Sequence, residues 1–309
     1  MERFSPWARA WSVSRAGELF TRSLFCASLI ALPSLAAIID PASASIIVTP
    51  TVSGSALATG LGGTGLTIDS VTATNGGAGQ FGTYTNFSSG PVTFADGVVL
   101  STGFVVDTPS PASVDDLPSS STGAGGTAEF DAYGPGNIEN FSSSNDVARL
   151  AVDFTLSSPN AVSFDFVFGS IEHPNFTSNY TDAFLAFLDG TANQIVFDSL
   201  NNPVQVGVSF ASQLTTEDQN TAFAEPHGLL RSLTTTTPVL APGFHTLLFE
   251  VGDVNDEILD SAVFIANFRA GSGSVGTTPT VPIPAAAYLF GSGLIGLAGL
   301  ARRKMAAKI

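Results

Sequence analysis

Val162-Ser163-Phe164-Asp165-Phe166-Val167-Phe168 is the stretch on which the fold turns. In an extended chain it places Val162, Phe164, Phe166 and Phe168 on one face and Ser163, Asp165 and Val167 on the other, the period of two expected of a strand. Comparable segments lie at 148–156, 183–188, 194–197, 204–210, 244–251 and 262–268, and Asp96-Gly97 and Asp189-Gly190 read as turn dipeptides. Short strands, frequent turns and no sustained helical pattern predict an all-β fold, an antiparallel β-sandwich of jelly-roll-like form over residues 45–270. Residues 45–90, rich in Gly, Ser and Thr, are expected to supply edge strands. Residues 109–136, with the cluster Ser119-Ser120-Ser121-Thr122-Gly123-Ala124-Gly125-Gly126, read as a long surface loop. Most of the 24 phenylalanines are expected in the core rather than on a ligand platform.

Charge narrows the function classes. Only 12% of the 309 residues are charged, and 26 acidic against 11 basic residues give a formal net charge of −15. Nucleic-acid binding needs a basic surface and is excluded on this ground. The single Cys26 removes disulfide frameworks and cysteine-ligated metal centres. Eight of the basic residues are terminal: Arg3, Arg9, Arg15 and Arg22 at one end, Arg302, Arg303, Lys304 and Lys308 at the other. Residues 45–280 therefore carry 23 acidic and three basic residues, a formal charge of −20.

The two ends read as addresses. Upstream arginines, an apolar stretch at 24–39 and Ala42-Ser43-Ala44 before Ser45 have the parts of a signal peptide over residues 1–44. Cys26 leaves with it, and it lacks the preceding small residue of a lipoprotein signal. At the other end, residues 271–280 form a Gly/Ser/Thr/Pro linker. An apolar segment at 285–301 follows, at the short limit for a transmembrane helix. The basic cluster Arg302-Arg303-Lys304 is expected on the cytoplasmic side, which puts everything upstream outside.

Val281-Pro282-Ile283-Pro284-Ala285, then Tyr288-Leu289-Phe290-Gly291-Ser292-Gly293, the short apolar span and the basic tail resemble the bacterial PEP-CTERM sorting signal in its VPLPA-type variant, with Ile283 in place of the Glu of the best-known form. The resemblance covers residues 281–309. It implies recognition by an exosortase in the membrane, cleavage near the Pro motif, and delivery of the upstream domain to the cell surface or extracellular matrix. A permanent membrane anchor without processing is the alternative.

The body resembles the choice-of-anchor L domain of bacterial surface proteins. Four segments carry the likeness: Gly79-Gln80-Phe81-Gly82-Thr83-Tyr84-Thr85-Asn86 leading to Asp96-Gly97-Val98-Val99-Leu100-Ser101-Thr102-Gly103; Phe164 to Ser170 with Glu172 and Pro174; Thr181-Asp182-Ala183 continuing to Gly190; and Val251-Gly252-Asp253-Val254-Asn255-Asp256-Glu257 continuing to Phe264. Where that family usually has Glu-Glu-Tyr-Pro, this chain has Ile171-Glu172-His173-Pro174, one carboxylate fewer. The resemblance implies surface placement more than any activity.

Asp253, Asn255, Asp256 and Asp260 fall between two apolar strands, and Glu172 and Asp182 border a loop between two others. Hard oxygen donors gathered at one sandwich end suit Ca2+, so these six are the candidate metal ligands and calcium the candidate cofactor. The EF-hand spacing is absent. The competing reading is that Asp and Asn simply close strands and make turns there.

His173, His227 and His245 form no His-x-x-x-His pair and flank no Gly-x-Ser-x-Gly elbow, so no catalytic residue is assigned and the chain is expected not to be an enzyme. His227, before Gly228, reads as a turn residue. The sequons beginning at Asn86, Asn140, Asn175 and Asn179 read as coincidental in a Ser/Thr-rich chain. The expectation is an exported, surface-sorted structural or adhesive protein with extracellular polysaccharide as candidate partner. A secreted carbohydrate-binding protein or glycoside-active enzyme is the alternative.

Overall fold

The computed structural model describes residues 45–272 except 90–91, 110–116, 178, 191 and 216–219. The signal-peptide reading of 1–44, the sorting motif of 281–285, the span at 285–301 and the basic cluster after it lie outside the described residues. Among the described residues no helix is long and apolar enough to cross a membrane.

Thirteen strands and two short helices occur among them. They are β1 (Ile47–Pro50), α1 (Gly54–Leu61), β2 (Gly62–Thr64), β3 (Thr67–Asn75), β4 (Phe81–Ser89), β5 (Val92–Ser101), α2 (Ala128–Tyr133), β6 (Ser144–Leu156), β7 (Val162–Ser170), β8 (Ala183–Leu188), β9 (Val204–Gln205), β10 (Gly228–Leu229), β11 (Leu233–Thr236), β12 (Gly243–Val254) and β13 (Ser261–Ala270). One sheet runs β1-β4-β5-β13-β7-β10, with β11 also on β7 and β2 on β13; the other runs β3-β6-β12-β8-β9. All ladders are antiparallel except the short β2–β13 pair. From β5 to β8 the chain alternates between sheets. Later β12 inserts between β6 and β8, and β13 between β5 and β7, an interlocking of Greek keys that makes a jelly-roll sandwich.

The opening stretch explains why two sheets stack. Val162, Phe164, Phe166 and Phe168 enter the central core together with Phe184 and Phe249 of the other sheet. Phe164 meets Phe249 edge-on at 4.9 Å, and Phe166 meets Phe184 at 5.2 Å. Val167, on the opposite face of β7, is also buried, in a second cluster with Tyr84, Phe87 and Phe264. A third cluster, with Phe130 of α2, covers the outer face of β8 and β12. With both faces of the central strands covered, β8 can read Ala-Phe-Leu-Ala-Phe-Leu and bury all six residues.

The segments at 148–156, 162–168, 183–188, 244–251 and 262–268 lie within β6, β7, β8, β12 and β13. Residues 45–90 supply β1 and β3, the terminal strands of their sheets, and also β2, β4 and the unexpected α1. Three expectations are corrected. Residues 194–197 form only isolated bridges, and of 204–210 only Val204–Gln205 is a strand: Val196, Val206 and Phe210 are buried by packing without a continuous ladder, while Phe197 and Val208 are exposed. Asp189-Gly190 is a turn with φ of 51° and 122°, but Asp96-Gly97 lies inside β5, with Tyr84 opposite Gly97. A Cβ on Gly97 would stand 2.3 Å from Ile265 O and from Tyr84 Oη, so glycine serves close approach there rather than a turn. Finally, 109–136 is not wholly a surface loop: Thr127 caps α2 by accepting Phe130 N–H at 3.2 Å, and Phe130 is fully buried.

Candidate metal centre

Antiparallel strands bring the ends of β5, β7 and β12 to the same place as the starts of β6, β8 and β13. Glu172 follows β7, Asp182 precedes β8, Asp253 is the penultimate residue of β12, Asp256 is in the β12–β13 loop and Asp260 immediately precedes β13. Glu172, Asp182 and Asp256 present carboxylate oxygens that all lie within 4.8 Å of one another. Glu172 and Asp260 belong to one sheet and Asp182 and Asp253 to the other, so the cluster spans the mouth of the sandwich.

These groups are deeply enclosed. Glu172, Asp182, Asp253 and Asp260 are all buried, Glu172 only 1% exposed, while Asp256 is partly exposed. Asp182 Oδ1 accepts Val254 N–H at 3.1 Å and its Oδ2 accepts the Ser261 hydroxyl at 2.7 Å. Asp253 lies beside Asp182 and the Thr102 side chain, both of which act on its carboxylate. Asp260 Oδ1 accepts Ser120 N–H at 2.7 Å. Both oxygens of Glu172, together with Asp253 Oδ1, Asp256 Oδ1 and Asp260 Oδ2, are buried without a hydrogen-bond partner. Buried polar groups are rarely left so, and an unpaired buried carboxylate costs far more than a neutral group.

Electrostatics tells the same story. Burial, reinforced by Asp182 and Asp256, pushes Glu172 up to about 9. Burial raises Asp182 to about 7 against the hydrogen bonds from Ser261 and Val254, and raises Asp260 to about 7 with Asp107 and Asp146 adding to it. Asp253 is raised well above the usual carboxylate range by burial and then by Asp182, and Asp256 is raised by burial. The charged neighbours acting on these five groups are carboxylates. Arg149 pairs with Glu129 at 3.1 Å and Glu250 at 3.4 Å, and Arg269 pairs with Asp165 at 3.2 Å, both away from this end. An all-oxygen, all-anionic donor set of this kind suits a hard divalent cation.

Asn255 reaches the same end but is otherwise engaged. Its Oδ1 accepts from Ser142 N–H and hydroxyl at 2.8 and 2.7 Å, and its amide donates to Asn140 O and Asn179 O at 2.9 and 3.2 Å. It holds loops together around the acids. The sequence reading missed Gln80, Thr102 and Asp146. Gln80, fully buried, donates to Ser101 O, Thr102 O and Asp146 O at 3.1, 2.9 and 2.7 Å, tying β5 to β6 beside the cluster. Asp146, at φ 45°, accepts from Thr122 N–H, Thr122 hydroxyl and Ala124 N–H and so fastens the 117–125 segment over the site. Gln80 and Thr102 lie within the segments that carried the family likeness, the one signal that pointed to them. His227 is a turn residue as read, its N–H donating to Ala224 O at 3.0 Å ahead of β10.

The fold and this end together define a jelly-roll β-sandwich with an enclosed acidic mouth. The choice-of-anchor L domain model matches residues 51–270, and the chain belongs to that family. The family's name denotes an anchored domain and supports a surface-anchored protein. A search of curated proteins gave no match. Among solved structures, the chain is similar to a carbohydrate-binding module specific for non-crystalline cellulose, CBM28, at 12% identity and a TM-score of 0.27, covering 61% of this chain and 83% of that one.

Proposed function

We propose that this is an exported, surface-anchored structural or adhesive protein of the cell envelope or its matrix, non-catalytic, whose jelly roll is closed at one end by calcium. The observation that carries the calcium part is Glu172, enclosed with both carboxylate oxygens unpartnered and facing the oxygens of Asp182 and Asp256. A Ca2+ ion there binds carboxylates from both sheets and replaces carboxylate repulsion by attraction. Extracellular modules bind calcium at about 10⁻⁴ to 10⁻³ M, the range in which such a site would be filled outside the cell and empty inside it. Placement rests on the family and on the sequence of the two ends: a leader over 1–44 and a sorting signal over 281–309, read by an exosortase-type enzyme.

Mass spectrometry of the surface-released protein, prepared with and without chelator, tests both parts. The account expects chains that start near Ser45, lack residues 302–309 and carry calcium. Surface chains that keep residues 302–309 overturn the processing, leaving a permanent anchor; chains without calcium overturn the cation.

One observation favours a second reading. Beside Asp256 an open cleft of about 470 Å³ is lined by Ser121, Ser143, Asn145, Glu257 and Ile258. Hydroxyl, amide and carboxylate groups around an exposed aliphatic side chain suit sugar hydroxyls, the surface a polysaccharide-binding protein needs. Binding of soluble extracellular polysaccharide that is lost in Glu257→Ala supports this reading, and equal binding by both proteins contradicts it.

A further inference from the structure

A single divalent ion among Glu172, Asp182 and Asp256 leaves much of this end uncompensated. Asp253 and Asp260 remain, both buried, with the buried Asp146 as a further charge acting on each. Asp260 has one oxygen held by Ser120 N–H, and Asp253 lies beside the Thr102 side chain. Asp253 Oδ1 and Asp260 Oδ2 are buried and unpartnered. This is the condition of Glu172 repeated on the far side of the Asp182–Asp253 contact. The backbone packs closely on the Asp260 carboxylate: a Cβ on Gly103 would lie 1.8 Å from Asp260 Oδ2, so only glycine lets the chain run against it.

Resting on the calcium reading above, we propose a second Ca2+ site between Asp253 and Asp260, adjoining the first through Asp182 and Asp253. Asp253 Oδ1 and Asp260 Oδ2 supply its anionic ligands. Two divalent ions compensate four of the five carboxylates, which one ion cannot do. Neighbouring carbonyls and water complete the six to eight oxygens that Ca2+ takes. Gln80 and Asp146 position the walls of this second site by fixing Thr102 and the 117–125 segment.

Calcium titration of the purified protein by calorimetry, with metal content by native mass spectrometry, tests it. The expected result is two Ca2+ per chain, falling to one in Asp260→Asn and to one in Glu172→Gln. One Ca2+ per chain, unchanged in Asp260→Asn and abolished in Glu172→Gln, overturns the second site and leaves the first. No bound Ca2+ overturns both. Should a variant not fold, anomalous diffraction from calcium-soaked crystals of the unaltered protein decides: two peaks at this end support the pair, and one peak contradicts it.

Discussion

Glu172 and Asp182 bring their carboxylates to the same gap from opposite sheets, yet Asp182 receives Val254 N–H at 3.1 Å and the Ser261 hydroxyl at 2.7 Å while neither oxygen of Glu172 receives a hydrogen bond. Asp182 is thus fixed in place, and Glu172 is the group whose charge lacks compensation. The fold has built one half of an ion pair.

The pH dependence of stability follows from this. Glu172 is pushed up to about 9 and Asp182 and Asp260 to about 7, so the metal-free folded state keeps protons that the unfolded chain releases near its ordinary carboxylate range. The stabilising contribution is complete at acid pH, below the unfolded values, and is lost as pH rises through about 7 and then about 9. In chelator the melting temperature should therefore be lower at about pH 8 than at about pH 5.5, and added calcium should raise it more at the higher pH. An equal calcium increment at both pH values contradicts the assignment of these groups.

Gln80→Ala removes the amide that donates to Ser101 O, Thr102 O and Asp146 O. Three buried carbonyls lose a donor, and a loss of about 2–4 kcal/mol in urea unfolding is expected. Calcium affinity should fall as well, because Thr102 and Asp146 lose their common tether. A variant as stable as the parent would show that these bonds are replaced by water.

Two glycines separate packing from backbone strain. Gly97→Ala drives a methyl group into Ile265 O and Tyr84 Oη, both 2.3 Å from the new Cβ, and is expected to cost about 3 kcal/mol or more. Gly190 has open space around it but φ of 122°, so Gly190→Ala should cost only about 1 kcal/mol. Thermal melts of the two variants in the reverse order would refute the close contact in β5.

Arg149 lies 3.4 Å from Glu250 Oε1 across β6 and β12, near enough for an ion pair though Oε1 has no aligned hydrogen bond. The Thr127 hydroxyl holds the other oxygen at 3.0 Å, linking α2 to the sheet. Burial raises Glu250 to about 7 against the pull of Thr127 and Arg149. Arg149→Met should destabilise by about 2–4 kcal/mol at about pH 8 and by less at about pH 6, where Glu250 takes up a proton. Restoring neutrality with Glu250→Gln should recover most of that loss, as read by chemical denaturation.

The central strands could be read from sequence because one physical rule, alternate burial in an extended chain, operates within each of them: Phe164, Phe166 and Phe168 reveal β7 without help from the rest of the molecule. The rule failed where burial and ladder part company, as at Val204 to Phe210, and where a glycine serves a distant neighbour, as Gly97 serves Ile265. Helix α2 was hidden because only Phe130 of its six residues is fully enclosed, leaving no periodic face to see. For the site, the local spacing of Asp253, Asp256 and Asp260 pointed to the right loop, but it also included Asn255, whose amide serves Ser142, Asn140 and Asn179 instead. Gln80 and Asp146 are far from that loop in sequence and approach it only through the interlocking of β5 and β6 with β12 and β13.

The most direct test of the central claim, that this buried acidic end is a calcium site, is the thermal unfolding of the purified protein at about pH 8 in chelator and in calcium at about a hundred times the dissociation constant. Ligand linkage at that excess contributes about 2.7 kcal/mol per site, which for a domain of this size is a rise of roughly 5–10 °C. The account predicts that rise with calcium and its reduction by about one site's contribution in Glu172→Gln, which keeps only the second site. Identical melting curves with and without calcium, or a calcium response that Glu172→Gln leaves intact, would contradict it.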